Sequence, residues 1–168
     1  MTRYHLAKLI NWAGMLKSRK RLQKVVFLLQ AGGCPFDVDF FLHFYGPYSE
    51  DVARLADEMV RENLLIETSE GQVGFERYNY HLSDETSRQL SALEVSAQGE
   101  KMKAELTAFE AKARFFLASE LKELEYAATI VYFKQQGDDW AVSVEKATTF
   151  KKDESVKNAL GLAQQAVS

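Results

Sequence analysis

The sequence predicts a mostly α protein with a small β-hairpin wing: a winged helix-turn-helix-like N-terminal half followed by a C-terminal helical bundle. Three observations predict it. Three N-terminal segments carry apolar residues at i, i+3, i+4 and i+7, the spacing that gathers them on one face of a helix. Leu64-Leu65-Ile66 and residues 75–82 flank Ser69, Glu70, Gly71 and Gln72, as the strands of a hairpin flank its glycine-containing loop. Beyond Ser83, apolar residues recur at three- and four-residue spacings and no proline follows Pro47.

Leu6, Leu9, Ile10 and Ala13 form the first stripe, which ends near Gly14. Leu22, Val25, Val26 and Leu29 form the second, stopped by Gly32 and Gly33, residues that can adopt the left-handed conformation of a helix end. Residues 38–45 predict a short strand, and Gly46, Pro47 and Tyr48 a turn in which Pro47 fixes φ, Gly46 takes positive φ and Tyr48 packs against the helices. Ser49 is placed to cap the third helix, residues 49–62, with Glu50 and Asp51 at its positive end and Val52, Leu55, Ala56 and Met59 on its buried face. Residues 64–66 and 75–82 make the wing. The chain therefore divides into a winged-helix-like unit, 1–82, and a helical unit, 83–168, packed on it.

In the second unit Met102, Leu106, Phe109, Ala113 and Phe116 form a wide seam, followed by a stripe of Leu121, Leu124, Ala128 and Val131. A monomer does not leave such a seam in water. The second stripe is expected to fold back over it as an antiparallel hairpin around residues 118–120, or a second copy to cover it in a homodimer. Gly137, Asp138 and Asp139 break the pattern before a last helix at 154–166.

With 46% hydrophobic and 12% aromatic residues, 168 residues can bury a sizeable core. A single cysteine, Cys34, precludes an intrachain disulfide. Apolar runs such as residues 25–29 are too short to span a bilayer, and the start has no secretory pattern, so a cytoplasmic location without membrane contact is expected. The net charge of −3 conceals an asymmetry: residues 1–36 hold Arg3, Lys8, Lys17, Arg19, Lys20, Arg21 and Lys24 and no acid, which leaves −10 for the rest. Lys17, Arg19, Lys20, Arg21 and Lys24 are thus candidates for binding an acidic partner or phosphates, or else complement the acidic remainder internally. The turn Tyr45, Gly46, Pro47, Tyr48 and Ser49 is the second candidate contact.

Nothing in the spacing calls for catalysis. His5, His43 and His81 lie far apart, and no HxxxH or CxxC pattern occurs, so neither a metal site nor a cofactor is expected. Gly32 and Gly33 lack the Lys-Ser/Thr pair of a phosphate loop. Cys34 with a histidine is the only nucleophilic pair on offer; no catalytic residue is assigned and no enzyme is expected. For nucleic acid, the third helix sets Glu50, Asp51, Asp57, Glu58 and Glu62 against Arg54 and Arg61, a balance of −3 that disfavours entry into a groove. A contact through the basic patch or the wing, with Arg77 and Tyr78 or Tyr80, remains for that alternative.

The run Arg21-Leu22-Gln23-Lys24-Val25-Val26-Phe27-Leu28-Leu29-Gln30, then Phe41-Leu42-His43-Phe44-Tyr45-Gly46-Pro47-Tyr48-Ser49 before an acidic helix, resembles the YwgA-type and Panacea-type (SocA-like) antitoxin-domain proteins of bacteria and phages. Glu123-Leu124-Glu125-Tyr126-Ala127-Ala128-Thr129-Ile130 resembles a second helical signature of the YwgA-type group. The resemblance implies a small helical protein with a winged-helix-like portion and, in the Panacea branch, an antitoxin that neutralises a toxin by binding it. It supplies no catalytic residues. The leading expectation is a protein-binding regulator, antitoxin-like or adaptor-like, with a winged-helix DNA-binding regulator as the alternative.

Overall fold

The computed structural model describes residues 1–72 and 76–168. Helix α1 (Arg3–Ala13) begins in a capping box: the Thr2 hydroxyl accepts the His5 backbone N–H while the His5 ring accepts that of Thr2. A short strand β1 (Leu16–Lys17) leads to α2 (Arg19–Ala31), capped by Ser18. From Leu22 to Leu29 every residue of α2 is buried. A helix covered on all sides is a central one. The single stripe read from sequence is therefore only part of its buried surface; Phe27, outside the stripe, has its ring centre 6.4 Å from that of Tyr132 in the C-terminal half.

Strands β2 (Phe41–His43) and β3 (Gly46–Tyr48) pair antiparallel, with Phe41 opposite Tyr48, Leu42 opposite Pro47 and His43 opposite Gly46. This corrects the expectation of one strand at 38–45 and a turn at 46–48. The turn is Phe44-Tyr45, and Gly46, at φ +90°, bends the chain into a second strand. Pro47 is tolerated there because this two-stranded sheet asks no ladder N–H of it. Ser49 then caps α3 (Glu50–Arg61) by accepting the Val52 N–H, as the sequence predicts.

Strands β4 (Leu65–Glu70) and β5 (Arg77–Leu82) form the wing, and β1 joins on the other side of β5, giving the order β1-β5-β4. Part of the predicted second wing strand, including Phe75, lies outside the described residues. Helix, strand, two helices and a two-stranded wing, with the first strand completing the sheet, is the winged-helix arrangement; the β2–β3 hairpin is an insertion between its second and third helices.

The rest is helical: α4 (Asp84–Glu94), α5 (Ala97–Thr107), α6 (Glu110–Ala118), α7 (Leu121–Lys134), α8 (Trp140–Lys151), a 3₁₀ turn (Glu154–Ala159) and α9 (Leu160–Val167). The seam expected as one helix is broken between α5 and α6 at Ala108-Phe109. Its cover differs too. Helix α6 packs on α1 and α2, whereas α7 leans on α2, β3, α8 and α9. Ala127, Ala128 and Thr129, all fully buried, let α7 approach closely. One apolar cluster runs through both halves of the chain. Among the described residues no helix is long and apolar enough to cross a membrane.

Candidate functional site

The hairpin is fastened to α2 by two side chains that a purely apolar helix would lack. The Gln23 amide donates to the Ser49 carbonyl at 3.0 Å and accepts the Ser49 N–H at 2.8 Å. One turn-neighbour on, the Lys24 ammonium donates to the Pro47 carbonyl at 2.6 Å. These bonds satisfy backbone groups of a strand with a single partner and so hold it where no ladder could.

From the other side come α7 and α8. Gly46 lies so close to α7 that a Cβ there would stand 2.8 Å from the Thr129 hydroxyl oxygen. Thr129 donates that hydroxyl to the Glu125 carbonyl, and the Glu125 carboxylate holds Lys151 at 2.5 Å. Lys151 also donates to the Phe44 carbonyl at the turn, at 3.2 Å. The three segments that resemble the YwgA pattern, dispersed over more than a hundred residues, thus meet around Lys24 and Gly46.

Lys24 is 2% exposed, and burial pushes its ammonium down to about 7, with Lys151 and Lys20 adding to the effect and Glu125 opposing it. The basic cluster of the sequence is therefore not one surface. Lys24 is interior. Arg21 is half-buried and donates to the Leu117 and Ser119 carbonyls, where cations suit the C-terminal end of α6. Arg19 is paired with Glu67 at 2.7 Å and lies over the Tyr78 ring. Lys17 and Lys20 are exposed and, among the described residues, have no carboxylate partner; the Lys20 ammonium sits 3.2 Å from the centre of the Tyr45 ring.

The predicted turn residues divide in the same way. Gly46, Pro47 and Ser49 are buried, Tyr48 is half-buried and Tyr45 is exposed. The sequence offers Tyr45 as a contact but assigns no outward side to the rest of the aromatic run at 40–45. Phe40 turns inward on Phe27, with ring centres 5.1 Å apart, while Phe41 and Phe44 face solvent. Alternation of side chains along a strand was the available signal.

Beneath the hairpin lies a cavity of about 210 Å³ between Lys20, Lys24, Tyr45, Tyr48, Asp57 and Tyr80. Its floor is buried, and its rim carries Lys20, Tyr45 and Asp57. Elsewhere Cys34 is 2% exposed, and burial pushes its thiol up to about 12, which keeps it protonated at neutral pH. Among the described residues no three of His, Cys, Asp and Glu converge as metal ligands would.

Fold and site define a winged-helix-like protein whose inserted aromatic hairpin is clamped between the second helix and the C-terminal helices. The chain is similar to the uncharacterized protein YwgA of Bacillus subtilis (strain 168), 28% identical over 153 residues that cover 91% of this chain and 86% of that protein. That coverage supports a YwgA-like family. No family model matches the chain.

Proposed function

We propose that the protein is a non-enzymatic, protein-binding regulator, antitoxin-like or adaptor-like, that grips its partner with the β2–β3 hairpin. The observation that carries this reading is the exposure of Phe41 (45%), Phe44 (75%) and Tyr45 (41%) on a hairpin fastened by buried polar contacts. Aromatic side chains on a rigid support give large contact area at small entropic cost, and anchors of this kind dominate protein interfaces. Lys20 beside them favours a partner with acidic groups around an apolar recess. The resemblance to Panacea-type antitoxins supports a toxin as that partner.

The test is co-purification from the native cell. The wild type is expected to bring down one stoichiometric protein, and Phe44→Asp, a change at an exposed position, to lose it with an unaltered melting temperature. The reading fails if no stoichiometric partner appears or if Phe44→Asp retains it.

A second reading, a winged-helix DNA-binding regulator, rests on the strand order β1-β5-β4 with α3 in the recognition position. Against it, α3 presents Glu50, Asp51, Asp57 and Glu62, and its Arg54 is held by Asp51 and Glu58. Absence of duplex binding at low salt removes this reading; salt-dependent binding flattened by reversing Lys17 and Lys20 would restore it.

A further inference from the structure

The aromatic contact shares Tyr45 and Lys20 with the rim of the cavity under the hairpin and leaves the interior of that cavity unused. We propose that this cavity binds a small planar aromatic anion, its ring against Tyr45, Tyr48 and Tyr80 and its carboxylate or phosphate at Lys20 and Lys24. This goes beyond the partner reading and does not depend on it.

The charge balance argues for an anion. Lys24 is buried with the Pro47 carbonyl as its one hydrogen-bond acceptor among the described residues, although an ammonium has three N–H groups to place. The nearest acid on α7, Glu125, is already engaged by Lys151. Lys20 stands at the rim over Tyr45. The first turn of α2 has no acidic residue, so the positive pole of the helix adds to these charges. Asp57, across the cavity on α3, is the one carboxylate in the lining among the described residues. It suits a ring that carries an N–H or O–H and disfavours a bare inorganic anion.

The walls argue for a ring. Tyr45, Tyr48 and Tyr80 line the space together with Leu22, Ala53 and Ala56. At about 210 Å³ it is smaller than the roughly 300 Å³ at which drug-sized sites begin, which suits one or two rings.

The experiment uses the full chain. The carboxylate probe is 2-aminobenzoate, followed by its own fluorescence, and the phosphate probe is 4-aminophenyl phosphate, followed by calorimetry. Aniline, 4-aminophenol and inorganic phosphate serve as the matched controls. One of the two anions is expected to bind at least about tenfold more tightly than its uncharged counterpart and than inorganic phosphate. Which of them binds separates a carboxylate from a phosphate ligand. Lys20→Met should weaken that binding by about tenfold or more. Ala53→Leu, which fills the cavity and removes no charge, should abolish it. The proposal is overturned if neither anion binds, if charged and uncharged probes bind alike, or if both variants bind as the wild type does. Lys20 is exposed, so its variant remains decisive should Ala53→Leu fail to fold. Phe44→Asp is expected to bind the probe normally while losing the protein partner, so the two readings fail separately.

Discussion

Lys24 illustrates how little of a residue's role follows from its neighbours in sequence. Among Arg19, Lys20 and Arg21 it reads as part of a surface patch, yet it sits one helical turn beyond Lys20 on the side of α2 that the hairpin covers. Its 2% exposure has a consequence for pH. The group titrates near 10.5 when unfolded and about 7 when folded. Between those values the unfolded chain binds more protons, so this group makes stability rise with pH. Below about pH 7 the ammonium is buried charged and the cost is felt in full. The slope is at most about 1.4 kcal/mol per pH unit. Urea midpoints of the wild type and of Lys24→Met, measured from pH 7 to 9.5, should diverge in favour of the wild type as pH rises. Tyr4 and Tyr80, both raised by burial, titrate alike in the two proteins and cancel. Parallel curves would show that the folded ammonium titrates normally.

At the scale of elements, the hairpin turns on Gly46. The positive φ expected there is present, at +90°, and α7 supplies a second constraint that no local pattern could reveal. Gly46→Ala places a methyl group in a strained backbone region and 2.8 Å from the Thr129 oxygen. Together these should cost about 2–4 kcal/mol. Thr129→Ala in the same protein should recover the steric part but not the backbone part, so the double variant should lie between Gly46→Ala and the wild type in denaturant titrations. No recovery would mean that Thr129 is not the neighbour that matters. The N-terminal helices and the wing are legible because each carries its own signal: stripes for α1 to α3, Ser49 as a cap, a loop sequence for the wing; β1, only two residues long, carries none and is not predicted. The hairpin was half legible, since Phe44-Tyr45 carries no turn chemistry and β3 is held by side chains rather than by a sheet. The candidate cavity is legible only as separate residues: Arg19, Lys20, Lys24, Tyr45, Tyr48 and Tyr80 each stand out in the sequence as candidate contacts, but only the tertiary fold brings Tyr80 from β5 and Asp57 from α3 to the same space.

At the scale of the whole molecule, the C-terminal half shows where periodicity stops being informative. The seam was correctly read as a surface that must be covered, and Leu106, Ala113 and Phe116 are each at most 1% exposed. What covers it was not readable, because sequential neighbours were assumed to pack on each other. Helix α2 is apolar enough on its far side to take α6 and α7 at once, and α6 reaches α1 as well. Helix α8 was missed for a related reason: only Ser143 and Ala147 are buried on it, too small and too few to form a stripe. Because the seam is filled from within, it is closed to a second copy. The wild type should therefore sediment at micromolar concentration as a single species of 19.1 kDa. Phe116→Glu should not yield a folded monomer from a dimer but lose cooperative unfolding. Removing a buried phenylalanine costs about 3–5 kcal/mol and an unpaired buried carboxylate adds to that, together a large share of a domain's stability. A wild type that sediments as a dimer, with Phe116→Glu folded and monomeric, would place the seam between two chains and overturn the packing of α6 on α1 and α2.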